Sequence, residues 1–161
     1  MSPLTLLLAD AAATEACGAR IAPALAGGMI VTLAGDLGAG KTTLVRGLLR
    51  ARGVEGSIKS PTYALVEHYP VSSLYFYHFD FYRFMSPDEW DAAGFSDYFH
   101  DDAVCIVEWP ERAGNRLPQA DLALSLAYDA NGRGRQLVAR AHSVSGERCL
   151  IALAGVAPTR N

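Results

Sequence analysis

The chain has 161 residues, of which 50% are hydrophobic and 19% are charged, and its formal net charge at pH 7 is −3. This length suits one domain with a substantial core, and the hydrophobic content excludes a largely disordered chain. The slightly acidic balance is not that of a protein whose surface binds nucleic acid through basic side chains.

The cysteines and the apolar segments restrict the cellular setting. Cys17, Cys105 and Cys149 lie far apart and lack the spacing of metal ligands, which favours reduced thiols over disulfide bonds. The apolar N-terminal segment lacks a basic start and is interrupted by Asp10, so it is not typical of a signal peptide. No apolar run approaches the roughly 18 residues that cross a membrane. We therefore expect a cytoplasmic protein without a membrane span.

The first part of the chain predicts a strand, a helix and a second strand. Residues 4–8 form a short β pattern, and Asp10 is suited to cap the helix that follows. The apolar stripe of that helix consists of Ala13, Cys17, Ile21 and Leu25. A Gly-Gly pair at 27–28 would end the helix, although Pro23 disfavours its last turn. A continuous apolar run at 29–35 indicates a strand buried on both faces.

The rest of the chain predicts one more long helix and several strands. The helix spans 41–52, since apolar residues recur on one side of it and Gly53 follows. Strand patterns occur at 63–69, 74–80, 103–109, 122–128 and 136–142. The last two are joined by a segment with an Asn-Gly pair, which favours an antiparallel hairpin. We therefore expect an α/β fold in which helices flank a mixed sheet, as one domain over 1–161 with a poorly defined tail at about 143–161.

The stretch GDLGAGKTT, residues 35–43, carries the strongest functional signal. It matches the pattern G-x-x-x-x-G-K-[ST] in full and lies between a predicted strand and a predicted helix, as that motif requires. Its glycines let backbone N–H groups converge on an anion, and the helix N-terminus adds its dipole. Lys41 can then reach the outer phosphates of a nucleotide, and the Thr42 hydroxyl can bind Mg²⁺. The sequence therefore predicts a phosphate-binding loop in a P-loop NTPase-like fold.

Two apolar strands end in acidic residues, Asp80 and Glu108. In open α/β sheets, ligands bind at the carboxyl ends of the strands, so both acids can face the phosphates. Glu108 follows the more apolar strand and is the better candidate for a metal ligand. Asp80 is suited to hold a metal-bound water or to orient the nucleophile. Taken alone, either acid is also compatible with an ordinary role at a strand end.

Two other segments invite comparison with GTPases. DAAG at 91–94 fits a switch II pattern, but the preceding SPDE predicts a capped helix that contains Asp91, so we reject that function. In the loop at 59–62, Ser60 precedes a proline and Thr62 offers a hydroxyl where switch I lies in other P-loop proteins. By itself this loop is typical of a turn.

Four motifs together, GDLGAGKTT, SPTYALVEHY, YHFDFYR and VEWPE, resemble in order and spacing the TsaE family of bacterial P-loop ATPases. The resemblance extends from the region of Thr14 through Glu111, and more loosely to the hairpin near Arg133. It implies ATP and Mg²⁺ as cofactors, and a role in making the threonylcarbamoyl modification of adenosine 37 in tRNAs that read codons beginning with A. It also implies the partner proteins TsaD and TsaB, through which the chain would meet tRNA only indirectly.

The resemblance also implies roles for individual residues. The ATP phosphates would be bound by Gly38, Ala39, Gly40, Lys41, Thr42 and Thr43. Thr42 and Glu108 would bind Mg²⁺, and Asp80 would act in hydrolysis together with Lys41 and Glu108. The adenine and ribose would lie near Asp10, Thr14, Gly132 and Arg133, and Glu111 would also contact the nucleotide site. Ser60, Thr62 and Trp109 would serve family function on the side that faces the partners.

Two other functions remain open at this stage. A small-molecule kinase would share the fold and could use NGRGR at 131–135 as an arginine lid, but these arginines lie in a tight hairpin and no second substrate-binding cluster is evident. A nucleotide-sensing module would bind ATP without ever releasing ADP. For an ATPase we expect slow turnover, because no arginine lies in the P-loop or in a switch-like loop.

Overall fold

The computed structural model describes residues 1–155, which form seven strands and four α-helices. In chain order these are β1 (Leu4–Leu8), α1 (Ala11–Ile21), β2 (Ile30–Ala34), α2 (Lys41–Ala51), β3 (Val66–Val71), β4 (Leu74–Asp80), α3 (Asp88–Ala93), β5 (Ala103–Glu108), β6 (Leu122–Tyr128), β7 (Arg135–Ala141) and α4 (Val144–Leu153). Short 3-10 helices lie at Ala22–Ala24, Phe95–Tyr98 and Pro110–Arg116. None of the helices in this part of the chain has the length and apolarity needed to cross a membrane.

All seven strands join one mixed sheet in the order β1-β7-β6-β2-β5-β4-β3. The four central strands β6, β2, β5 and β4 are parallel to one another, whereas β7 pairs antiparallel with both β6 and β1, and β3 pairs antiparallel with β4. The predicted hairpin is therefore confirmed as β6–β7. Because β2, β4 and β5 are parallel, their carboxyl ends meet at one edge of the sheet, where ligands bind in folds of this kind.

Helices cover both faces of the sheet. Alternate residues of β5 belong to two different cores: Val104 and Ile106 pack with α1, α2 and α4, while Cys105 and Val107 pack with α3 and the 3-10 segments. The second core is mainly aromatic, and its large rings are Phe79, Phe81, Phe84, Trp90 and Phe95. This two-sided burial is what the continuous apolar pattern of the central strands predicts.

Two elements differ from the sequence expectation for local reasons. α1 ends at Ile21, and Leu25 lies in extended conformation beyond a 3-10 turn that contains Pro23, since proline does not continue an α-helix. The third strand begins at Val66, not at residue 63, because the N–H of Leu65 donates to the carbonyl of Pro61 and closes a turn there. The third strand also ends at Val71, two residues later than predicted, and the boundaries of the other six strands agree with the predictions to within one residue.

The sequence analysis did not predict the last helix, α4. The Ser143 hydroxyl accepts the N–H of Gly146 and caps the helix, and Cys149, Leu150 and Leu153 are buried in the core beside α1. Residues 143–155 of the expected tail are thus ordered. Residues 156–161 lie outside the described part of the chain.

The three cysteines are buried, and none of them is bonded to another. Burial raises the pKa of Cys17 to about 11, that of Cys105 to about 12 and that of Cys149 to about 11. Each thiol therefore stays protonated at neutral pH and behaves as a small apolar side chain.

α1 and α2 approach each other backbone to backbone. A Cβ at Gly18 would collide with the carbonyl oxygen of Leu44, and a Cβ at Gly47 would collide with the carbonyl oxygen of Glu15. Because each helix presents a glycine to the other, α1 lies directly against the helix that begins the phosphate-binding segment. This contact determines where Thr14 sits relative to Lys41.

We expect Gly47→Ala to destabilise the protein by about 1–3 kcal/mol, because the added methyl must push the two helices apart. In an ordinary helix the same change stabilises by up to about 1 kcal/mol, so the sign of the effect is diagnostic. Urea unfolding measures the free energy of unfolding. Ala12→Ser, at an exposed site of α1, is the control and should change that free energy by less than about 0.5 kcal/mol. A more stable Gly47→Ala protein would contradict this packing.

Candidate functional site

A cavity of about 320 Å³ opens where β2, β4 and β5 end. The predicted site residues that line it are Gly38, Gly40, Lys41, Thr42, Thr43, Ser60, Thr62, Asp80, Glu108 and Trp109. Leu37 and Tyr82 complete the wall. The structure thus brings together residues from four separate segments of the chain.

A second cavity of about 110 Å³ adjoins the first, and both share Gly38, Gly40 and Thr43. Its other walls come from α1 and from the β6–β7 hairpin, and consist of Asp10, Ala11, Thr14, Arg133 and Arg135. Asp10 also caps α1, since its carboxylate accepts the N–H of Ala13 at 2.8 Å. The predicted adenine-side residues Asp10, Thr14 and Arg133 therefore lie in one place, and Arg135 is an addition that the sequence analysis did not assign there.

Three predicted site residues line neither cavity. Ala39 is fully buried in the core behind the loop. Gly132 is exposed in the hairpin turn, and Glu111 is exposed in the 3-10 helix after β5. Their predicted contacts with a nucleotide have no counterpart in the cavity walls.

The glycines of the loop allow a backbone that other residues would resist. Gly38 has φ +77° and Gly40 has φ +106°, both in the region that side chains disfavour. A Cβ at Gly38 would also lie 2.9 Å from the Tyr128 hydroxyl. Gly40 is the N-cap of α2, so the helix N-terminus opens directly onto the cavity. This arrangement places the positive end of the helix dipole where an anion would bind.

Lys41 is the cationic group of the site, and its residue is only 5% exposed. Its Nζ donates to the carbonyls of Gly35 at 2.6 Å and Asp36 at 2.9 Å, and lies 4.4 Å from the centre of the Trp109 ring. Burial lowers the pKa of Lys41, and the nearby carboxylates, Glu108 first among them, partly oppose that shift. The ammonium is held by carbonyl dipoles and an aromatic face, which together stabilise its charge.

Glu108 connects the phosphate-binding helix to the sheet. The Thr42 hydroxyl donates to its two carboxylate oxygens at 3.1 and 3.3 Å. His78 Nε2 lies 2.5 Å from Glu108 Oε2, and among the described residues no hydrogen-bond partner is found for His78 Nδ1. The sequence analysis assigned no role to His78. The alternation of β4, which puts residues 78 and 80 on one face of the strand, was the available signal that it belongs to the site.

Asp80 is paired with Glu108 in the register of β4 and β5 and is 3% exposed. It accepts hydrogen bonds from the Ser60 hydroxyl at 2.6 Å, the Thr62 hydroxyl at 3.4 Å and the backbone N–H of Tyr82 at 2.9 Å. Hydrogen bonds therefore join the loop at 59–62 to the end of β4. Ser60 and Thr62 are half-buried and line the cavity, and Tyr63, which directly follows the loop, is 84% exposed.

Trp109 follows β5 in a left-handed backbone conformation with φ +57°, which is unusual for a non-glycine residue. Its backbone N–H donates to the carbonyl of Leu33 at 3.2 Å, and the centre of its ring lies 5.0 Å from that of the Tyr82 ring. Strained backbone of this kind persists where the surroundings impose it, and it concentrates at functional sites. Here it turns the indole over Lys41.

The oxygen atoms at the N-terminus of α2 are of the type that binds Mg²⁺. The Thr42 hydroxyl and the Glu108 carboxylate are hard oxygen donors within hydrogen-bond distance of each other, and both line the cavity. Mg²⁺ in nucleotide sites is usually held by one or two protein oxygen ligands together with phosphate oxygens and waters. A pair of this type therefore suffices.

The loop after β2, the helix that begins at Lys41 and the acids that end β4 and β5 define a P-loop NTPase-like fold, as the sequence predicts. The chain belongs to the TsaE family, since the model of the family described as "Threonylcarbamoyl adenosine biosynthesis protein TsaE" matches residues 8–137.

Individual relatives agree with that assignment. A protein of Haemophilus influenzae is 46% identical over 112 residues, which are 70% of this chain and 71% of the relative. A protein of Bacillus subtilis is 40% identical over 97 residues, which are 60% of each chain. Both are described as tRNA threonylcarbamoyladenosine biosynthesis protein TsaE. The crystal structure of Bacillus subtilis YdiB is similar with a TM-score of 0.80 and 27% identity, and the match covers 96% of this chain and 95% of that one.

We expect Ser60→Ala to lower the free energy of unfolding by about 1–3 kcal/mol, because the buried Asp80 carboxylate loses its shortest side-chain hydrogen bond. Ser60→Thr keeps the hydroxyl and should recover part of the loss. Ser73→Ala, at an exposed turn position, is the matched control. Urea unfolding at pH 7 provides the measurement. Equal stability of Ser60→Ala and the control would show that Ser60 does not support Asp80.

Proposed function

We propose that this protein binds Mg²⁺-ATP in the two adjoining cavities and hydrolyses it slowly, as a component of the machinery that makes threonylcarbamoyladenosine in tRNA. The main support for ATP hydrolysis is the contact between Thr42 and Glu108 at the N-terminus of α2. Membership of the TsaE family and the names of the relatives support the role in tRNA modification.

The larger cavity would hold the phosphates. The N-terminus of α2 and the loop N–H groups would accept the phosphate charge, and Lys41 would exchange the carbonyls of Gly35 and Asp36 for phosphate oxygens. The smaller cavity, with Asp10, Thr14 and Arg133, would take the nucleoside end. The shared wall of the two cavities makes one continuous path for a single nucleotide.

Thr42 and Glu108 would hold Mg²⁺, which when bound neutralises phosphate charge that develops during hydrolysis. His78 would keep the Glu108 carboxylate in place, as hydrogen-bonded neighbours of metal ligands commonly do. Asp80 lies beside Glu108 at the end of the next strand, and would orient the attacking water. Ser60 and Thr62 would in turn orient Asp80.

The partners in this proposal are TsaD and TsaB, and tRNA would be met through them in the cytoplasm. The protein's net charge of −3 does not favour direct binding to RNA. Leu37 in the cavity wall is 60% exposed, and Tyr63, next to the cavity residue Thr62, is 84% exposed; exposed apolar groups beside a site suit contact with another protein. Arg83 stacks on the Tyr63 ring at 4.2 Å and adds a charge to this rim.

A small-molecule kinase is less well supported. An arginine lid would require the hairpin arginines to reach a phosphoryl group. Arg135 donates instead to the backbone carbonyls of Gly38 and Ala39, on the outer side of the loop. This engagement favours hydrolysis over transfer to a second substrate.

We expect Glu108→Gln to remove most of the Mg²⁺-dependent gain in ATP affinity, by about tenfold or 1.4 kcal/mol, with little effect on binding in the presence of EDTA. Asp80→Asn should keep ATP affinity and lose turnover. Lys41→Ala should abolish tight binding under both conditions, since a charge-assisted contact of about 1.5–3 kcal/mol is lost. Calorimetry and phosphate release measure the two quantities. Interchanged behaviour of the Glu108 and Asp80 variants would mean that their roles are swapped.

We expect slow phosphate release by the protein alone, and faster release with purified TsaD and TsaB. An added cation over the outer phosphate can contribute about 10³–10⁵ in rate, and among the described residues no arginine lines the larger cavity, which would hold that phosphate. Tyr63→Ser should reduce the stimulation and leave the intrinsic rate unchanged. Val144→Ser, at an exposed site of α4, is the control. Fast turnover without partners, or indifference to them, would contradict the proposal.

A further inference from the structure

Three consecutive carbonyl groups of the phosphate-binding loop are held by two side chains of the β6–β7 hairpin. Arg135 Nε donates to the carbonyl of Ala39 at 3.0 Å, and its Nη2 donates to that of Gly38 at 3.1 Å. The Tyr128 hydroxyl donates to the carbonyl of Leu37 at 3.3 Å. The outer side of the loop is thus bound to a different part of the sheet from the strand and helix that the loop connects.

The hairpin itself holds these two side chains in place. Tyr128 and Arg135 are directly opposite in the register of β6 and β7, and the guanidinium lies 4.1 Å from the centre of the Tyr128 ring. The turn between them is closed by the Asp129 carboxylate, which accepts the N–H groups of Asn131, Arg133 and Gly134 at 3.0, 3.2 and 3.1 Å. The closed turn therefore supports Tyr128 and Arg135, whose side chains donate to the loop.

Planarity of the peptide group gives these contacts a consequence for anion binding. In a trans peptide the carbonyl of one residue and the N–H of the next point in opposite directions. Holding the carbonyls of Leu37 and Ala39 toward the hairpin turns the N–H groups of Gly38 and Gly40 away from it. Both glycines line the larger cavity, and the N–H between them, that of Ala39, donates to the carbonyl of Asp36 at 3.1 Å. Without such contacts, glycine peptides would be free to rotate.

We propose that Arg135 and Tyr128 are positioning residues that preorganise the phosphate-binding loop for the pyrophosphate portion of its ligand. They orient the loop N–H groups before binding, so that the ligand does not have to order them. This inference rests on the proposed function only in taking the ligand to be a nucleotide di- or triphosphate.

Direct contact of Arg135 with the ligand is the competing role, because Arg135 also lines the smaller cavity. Its nitrogens are however already occupied, since Nη1 donates to the carbonyls of Gly134 at 3.0 Å and Arg133 at 3.4 Å. Together with the bonds to Gly38 and Ala39, this uses four of the five N–H donors of a guanidinium. A lysine at this position would keep the charge but could not reproduce the fork that holds two adjacent carbonyls.

The test compares the binding of inorganic pyrophosphate and of ATP, by calorimetry, to the wild type, Arg135→Lys, Tyr128→Phe and the control Arg140→Lys. Arg140 lies on the same strand and is exposed. We expect Arg135→Lys to weaken both ligands by about tenfold or more, and Tyr128→Phe to weaken both to a smaller extent. The control should match the wild type. Thermal unfolding establishes that each variant is folded, and Tyr128→Phe serves if Arg135→Lys does not fold.

Two results of the binding measurements would overturn the proposal. Wild-type affinity in Arg135→Lys would show that charge alone matters, and a loss for ATP with none for pyrophosphate would show a contact with the nucleoside. Failure of the wild type to bind either ligand would count against the proposed function instead. Hydrogen exchange of the Ala39 amide, measured in the ligand-free protein, then tests whether Arg135 positions the loop. Exchange about tenfold faster in Arg135→Lys than in the wild type supports it, and equal exchange overturns it.

Discussion

Two carboxylates, Asp80 and Glu108, lie side by side at the ends of neighbouring parallel strands and are almost completely buried. Buried acids are costly unless hydrogen-bond donors surround them, so this pair imposes its requirements on the segments around it. The Glu108 carboxylate is hydrogen-bonded to Thr42 at the start of α2 and to His78 on the neighbouring strand β4. Asp80 is satisfied by the loop that carries Ser60 and Thr62. The need to satisfy two acids thus assembles the site.

The phosphate-binding loop is supported from two sides. On the inner side, Lys41 bonds to the carbonyls of Gly35 and Asp36 under the Trp109 ring. On the outer side, the β6–β7 hairpin holds the next carbonyls through Tyr128 and Arg135. A loop rich in glycine has high conformational entropy, and these contacts restrict it. The hairpin, far away in sequence, is therefore part of the site.

Packing places the two ends of the site relative to each other. The glycines at the crossing of α1 and α2 let Thr14 approach the start of α2, where its methyl would lie 3.5 Å from a Cβ at Gly40. The same crossing sets the position of Asp10, the cap of α1, against Arg133 in the smaller cavity. The arrangement of the two adjoining cavities thus depends on a helix contact that contains no functional group.

The amino-acid sequence alone determined the elements and the loop chemistry of this protein, because strand alternation, capping residues and the GDLGAGKTT pattern are local signals. It predicted the mixed sheet and the two acids at strand ends. Tertiary structure decided what depends on contacts between distant segments: the bond of His78 to Glu108, the inward direction of Ser60 and Thr62, and the hydrogen bonds of Arg135 to the loop. No local pattern encodes the partners in these contacts, since each contact depends on which strands become neighbours in the sheet.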